Sequence, residues 1–143
     1  MLLLITLRFD ASADLLVERL GAGVFRLNVD AFGDYSFCLE PDRWYIRNPV
    51  GLEISSITAT RCMWWKAMLV SPHDDPMIRE EVRYAISEVY NWFRARGLII
   101  GNPPWTDRLA GKMTQLGVAS AHFRIPATVV AWGAGSLDQL DSG

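Results

Sequence analysis

Cysteine and histidine are scarce in this sequence, with two of each in 143 residues. Cys38 and Cys62 cannot build the disulfide framework that staples small secreted domains. Both stand among apolar neighbours, which suits buried free thiols. His73 and His122 are far apart and fit no ligand spacing, so no zinc motif is present. Positive charge is in short supply as well. Fourteen Lys and Arg against sixteen Asp and Glu leave a formal net charge of -2, whereas a nucleic-acid surface needs a strong positive field. Long apolar runs are missing too. The opening Met1-Leu2-Leu3-Leu4-Ile5 is interrupted by Arg8 and Asp10, no small-residue cleavage site follows, and nothing reaches the length of a membrane span. The expectation is a cytoplasmic protein with neither nucleic-acid nor membrane partners. There is no G-x-G-x-x-G sequence and no P-loop. No Ser-His-Asp, Cys-His or paired-carboxylate arrangement stands out. Asp74 and Asp75 are adjacent, which makes them helix-start residues and not a matched acid and base.

Half of the residues are apolar, enough for a real core in one domain. Residues 2–7 form an apolar run broken by one threonine, the pattern of a central parallel strand buried on both faces. Asp10 or Ser12 caps a short helix carrying Leu16 and Leu20 on one face. Gly21 ends it, and residues 24–27 read as a second strand, completing a βαβ unit. Residues 35–39 and 44–46 are short aromatic-rich runs around the turn Glu40-Pro41-Asp42-Arg43, predicting a β-hairpin inserted in, or flanking, the parallel sheet. Ile54 to Ile57 reads as weakly helical or irregular, and residues 61–65 as another strand.

The strongest helix starts at Asp74-Asp75-Pro76. Ile78, Val82, Ala85, Val89 and Phe93 then recur at spacings of three and four. Gly97 is placed to terminate it in the left-handed region, with Leu98 as the accompanying apolar contact. Residues 98–100 form a short strand. A last helix is expected after a cap at Thr106 or Asp107, with Leu109, Met113 and Leu116 inward. Residues 124–130 lead into a possible strand. The order predicts an α/β fold: a mostly parallel sheet with flanking helices and an inserted hairpin, over residues 1–130, with 131–143 a flexible polar tail.

Candidate site residues cluster where open α/β sheets place ligands, at the carboxyl ends of the strands. Arg8, Asp10 and Ser12 follow the first strand. Asp10 either orients a polar group of a ligand or caps the helix. Arg26 and Asn28 flank the end of the second strand, and Asn28 either meets a ligand or shapes a turn. Six tryptophans are the oddest feature of the composition. Core and interface roles suit them, because indole buries a large surface and needs one hydrogen bond. Arg61, Trp64, Trp65 and Lys66 form the only fragment of a base-stacking pattern. Lys112 is either a solvated cation or a flexible point charge for phosphate.

Three stretches carry a family resemblance. They are Leu3-Leu4-Ile5-Thr6 through Phe9-Asp10 with Ala13-Asp14-Leu15; Val24-Phe25-Arg26-Leu27-Asn28 with Asp30 and Phe32; and Asn102-Pro103, Lys112, Gln115-Leu116 and Ala119, ending in Ile125-Pro126-Ala127-Thr128. In this order they resemble the N-terminal pre-ATP-grasp domain of the graspetide synthetases, ATP-grasp ligases that mature microviridin-like ribosomal peptides. The resemblance implies a Rossmann-like pre-ATP-grasp fold. Full-length members activate a carboxylate as an acylphosphate with ATP and magnesium, and an amine or hydroxyl then attacks it. Their nucleotide and metal sites lie mainly in later domains, and the chain ends near where that portion should begin. Lys112 matches a lysine that in related ligases reaches the nucleotide. Trp64, Trp65, Lys66, Ala67 and Met68 match a Trp-Tyr-Arg-Arg-Pro-like run without its paired guanidinium groups, and Ser12 replaces a frequent histidine.

The resemblance therefore implies a domain that is not catalytic alone, with no cofactor of its own, and with Arg8, Asp10, Arg26, Asn28, Trp64 and Lys66 as substrate or domain contacts. Its partners would be a ribosomal precursor peptide or an ATP-grasp catalytic partner, which would bring ATP and magnesium. A scaffold protein that has lost the chemistry is the alternative. A homodimer is also expected, through residues 35–46 or the Trp64-Trp65 strand, because six indoles are hard to bury in so short a chain.

Overall fold

The computed structural model describes residues 1–67, 73–101 and 111–126, and of Lys112 only the backbone. Thr106, Asp107, Leu109, residues 127–130 and the expected tail lie outside the described residues. Two compact units make up the chain, Met1–Thr106 and Asp107–Gly143. No helix among the described residues is long and apolar enough to cross a membrane.

The first unit is a mixed α/β fold. Its elements are β1 (Leu2–Thr6), α1 (Ala11–Leu20), β2 (Val24–Asn28), β3 (Ser36–Leu39), β4 (Trp44–Arg47), β5 (Glu53–Ser55), β6 (Arg61–Trp64), α2 (Pro76–Ala95) and β7 (Ile99–Ile100). One sheet is parallel throughout, in the order β2-β1-β6-β7. The other is an antiparallel meander, β3-β4-β5. The expected hairpin is therefore two strands of a separate sheet. Its third strand, β5, runs through the segment expected to be irregular. Three residues are too few to show alternation, and β5 is held by long-range pairing with β4.

Strand β1 sits between β2 and β6, and both of its faces are covered, which explains its unbroken apolar sequence. Leu3 and Ile5, with Phe25, Leu27, Cys62 and Trp64, face a large core shared with α2 and the inner face of the meander. Leu4 and Val24 face Ala13, Leu16 and Val17 of α1. Leu16 pairs with Val17 in that contact, while Leu20 is half exposed. Because β1 to β2 and β6 to β7 step in opposite directions across the sheet, right-handed crossovers require their helices on opposite faces. The two core clusters have that distribution.

Local chemistry sets the helix ends. Asp10 caps α1, its carboxylate accepting from the Ala13 N–H at 2.9 Å. Asp75 caps α2 with Pro76 in the first turn, as the sequence predicts. Gly97 then takes φ +65°, with Leu98 N–H donating to the Phe93 carbonyl and Gly97 N–H to that of Arg94. That pair of bonds is a Schellman motif. Val82, Ile86, Val89, Tyr90 and Phe93 are the buried stripe of α2. Fully burying one such side chain stabilises by about 1.5–3 kcal/mol.

In the second unit, α3 (Lys112–Ser120) begins after Gly111, which occupies its N-cap position. Met113, Val118 and Phe123 are exposed. Thr114, Gln115, Val118, Ala119, His122 and Phe123 line a shallow groove of about 420 Å³. Residues 124–126 form no strand.

Candidate functional site

In an open parallel sheet, ligands bind beyond the carboxyl ends of the strands where the strand order reverses. Here that point lies between β1 and β6, since the chain moves outward to β2 on one side and to β7 on the other. The register aligns Leu4 with Arg26, Thr6 with Asn28, and Ile5 with Trp64. Alternation along the strands therefore puts Arg26, Asn28, Thr6 and Trp65 on the α1 face of the rim.

Arg26 organises this rim. Its Nε donates to Asn28 Oδ1 at 2.7 Å. One terminal nitrogen donates to the carbonyls of Leu7 at 2.7 Å and Arg8 at 2.9 Å. The other pairs with the Asp14 carboxylate. The planar guanidinium thus ties the β1–α1 loop to β2 and to the first turn of α1, a fork that lysine cannot reproduce. With 18% of its side chain exposed, it has little left to offer a ligand. Tyr35 closes the structure from below. Its hydroxyl accepts from the Asn28 N–H at 3.1 Å and donates to the Arg26 carbonyl at 3.3 Å. Burial, the largest cause, raises the Tyr35 pKa above its ordinary value.

The other sequence candidates separate. The Arg8 backbone N–H donates to Asp30 Oδ1 at 2.8 Å, and its half-exposed guanidinium pairs with Asp34 at 2.8 Å. Asp10 is the helix cap. Trp64 is a core side chain, 8% exposed, set edge-on to Tyr90, with its indole N–H on the Ala67 carbonyl at 2.7 Å. Within β6, which is paired along both edges, Trp64 is buried, while Trp65 just beyond the strand is partly exposed. Lys66 is exposed, its ammonium 4.9 Å from the centre of the Trp65 ring. Its φ of +52° makes it the one non-glycine residue with positive φ among the described residues. That conformation is sparsely populated for a residue with a Cβ. The side chain of Lys112 lies outside the described residues.

The sequence reading passed over two further groups. Thr6 ends β1 and Trp65 directly follows β6, so the register sets the two residues next to each other at the switch point; the atoms of interest are the Thr6 hydroxyl and the Trp65 indole N–H. Both are closed to solvent and have no hydrogen-bond partner. The signal in the sequence was the lone threonine at the end of an otherwise apolar strand. Chemically the rim holds rigid donors and internally neutralised charges. Cys62 is fully buried, and burial pushes its thiol pKa far up. Among the described residues no three His, Cys, Asp or Glu side chains gather as metal ligands.

No protein-family model matches this chain, and no curated protein matches it in sequence.

Proposed function

We propose that this chain is a pre-ATP-grasp domain related to the graspetide-type peptide ligases, that it does no chemistry alone, and that it serves to recognise a peptide or contact a catalytic partner. The observation that carries this reading is the reversal of strand order between β1 and β6 and the kind of groups at its rim. The Rossmann-like order β2-β1-β6-β7, with α1 and α2 on opposite faces, supports the fold assignment. The rim supports recognition over catalysis. Arg26, Asp14 and Asn28 are spent on one another, whereas Thr6 and Trp65 keep polar hydrogens unassigned, and Lys66 adds a nearby exposed cation. Of these, Lys66 is open to a carboxylate or carbonyl from a partner, while the Thr6 and Trp65 groups are closed to solvent in the single chain.

Purified chain given ATP, magnesium and an acidic precursor-like peptide should show no phosphate release and no ligation. Isothermal titration against the same peptide should show binding that weakens in Lys66→Glu. Sustained turnover by the chain alone would overturn the reading, as would peptide binding indifferent to that charge reversal.

A further inference from the structure

The two edges of the antiparallel meander differ in how their backbone groups are used. Glu40 N–H donates to the Arg43 carbonyl at 2.8 Å, which makes Glu40 and Arg43 a hydrogen-bonded pair. In an antiparallel ladder such pairs alternate with non-bonded ones. With the observed register, Ser36 and Cys38 turn their backbone groups toward β4, and Phe37 and Leu39 turn theirs outward. At the opposite edge, Ser55 of β5 also points outward but is satisfied. Its N–H donates to Thr58 Oγ1 at 3.0 Å, and its carbonyl accepts from Thr58 at 3.1 Å and Ala59 at 2.8 Å. Among the described residues no such turn covers β3. Nor does Ser36-Phe37-Cys38-Leu39 contain a proline or a charge, the usual protections of an edge strand.

We propose that two copies of this chain join along β3, antiparallel, about a twofold axis at Cys38. In this register Phe37 lies opposite the partner's Leu39, and the reverse. Each such pair exchanges both of its backbone bonds, so all four outward groups on each copy are satisfied at once. An offset of one residue would leave them unmatched, and this self-complementarity selects a second copy as the occupant. Side chains agree with it. On the inner face Phe37 covers the partner's Leu39, which is 37% exposed in the single chain. On the outer face Glu40, ion-paired with Arg43 at 2.6 Å, falls opposite the partner's Ser36, a short residue, so no bulky side chain obstructs the approach. The proposal stands on the edge of β3 alone and is independent of the ligase reading.

The register has a chemical signature. Cys38 meets its own copy as a non-hydrogen-bonded pair, with Cα atoms about 4.5 Å apart, within the range a disulfide spans. Diamide should therefore link two chains, taking one hydrogen from each Cys38 thiol as the S–S bond forms and becoming the hydrazine. Native chain should show concentration-dependent dimer in sedimentation velocity and a linked dimer on a non-reducing gel. Cys62→Ser should keep both, and Cys38→Ser should keep the dimer and lose the link. Leu39→Pro removes an outward N–H and no bond to β4, and Cys38→Lys sets two like charges on the axis. Each should give monomer, and if one fails to fold the other decides. A native chain that stays monomeric at every concentration overturns the proposal, even if an extended peptide occupies the edge instead. Association that survives both Leu39→Pro and Cys38→Lys overturns it as well.

Discussion

The two sheets of the first unit are built from similarly short strands, yet they use their sequences in opposite ways. Strand β1 is apolar at four of five positions because neighbours flank it on both edges and helices or strands lie over both faces. Strand β4 alternates, with Trp44 and Ile46 buried and Tyr45 and Arg47 exposed, because only its inner face meets the core. The parallel sheet has no surface to spare at its centre, and its information goes into holding the fold. The meander spends half of its side chains on the fold and leaves an outer face and one open edge for contact.

The comparison breaks most severely where the sheets share a residue. Phe93 is fully buried and packs against both Trp44 of the meander and Trp92 of α2. Phe93→Ala should cost about 3–5 kcal/mol through lost burial and a residual cavity. Urea unfolding followed by tryptophan fluorescence would measure it. If the meander separated while the parallel sheet stayed folded, two transitions would replace one.

A smaller effect is expected at the rim. Arg26→Met keeps the length of the side chain but strips the fork. It leaves the carbonyls of Leu7 and Arg8 and the amide oxygen of Asn28 without their donor. A loss of about 2–3 kcal/mol is expected, with amide exchange accelerating first in the β1–α1 loop. Uniform acceleration over the whole unit would mean that the clamp is global and not local.

The smallest effect concerns pH and sharpens the comparison by singling out the parallel sheet. Burial raises the Cys62 thiol above its ordinary value of 9.0. The unfolded thiol then ionises first as pH rises, while the folded one keeps its proton. The stability linked to this group is therefore fully present below pH 9.0 and is lost progressively above it. Tyr35 and Tyr90, both raised by burial from 10.0, add to the decline at higher pH. The melting temperature should be level near neutrality and fall on the alkaline side, and Cys62→Ala should delay the start of that fall.

Features set by near neighbours in the sequence were legible. Asp75-Pro76, the stripe from Val82 to Phe93, and Gly97-Leu98 specify α2 from within. So does the Asp10 cap of α1, which a search for ligand groups reads equally well as a site. What could not be read depends on distant pairing. β5 exists because β4 offers it a partner, and β6 is internal because β1 and β7 close on it. That position buries Trp64, whose place in the core a linear reading does not show. The Arg26 network was hidden for the same reason, since its partners lie 12 to 19 residues away in all but one case. An arginine between Phe25 and Leu27 was the one sign that a buried-face position carried a charge needing several acceptors.

The central place of β1 also bears on how the chain is made. Its apolar residues leave the ribosome before either neighbouring strand, and one of the two that flank it, β6, starts only at Arg61. At translation speeds of about 5–20 residues per second, β1 waits on the order of several seconds for its second neighbour. During that interval Leu3, Leu4 and Ile5 lack the cover of β6 and α2. Slowing elongation between β2 and β6 lengthens the exposure, and a chaperone that holds extended apolar segments would find its target in the β1 segment of the nascent chain.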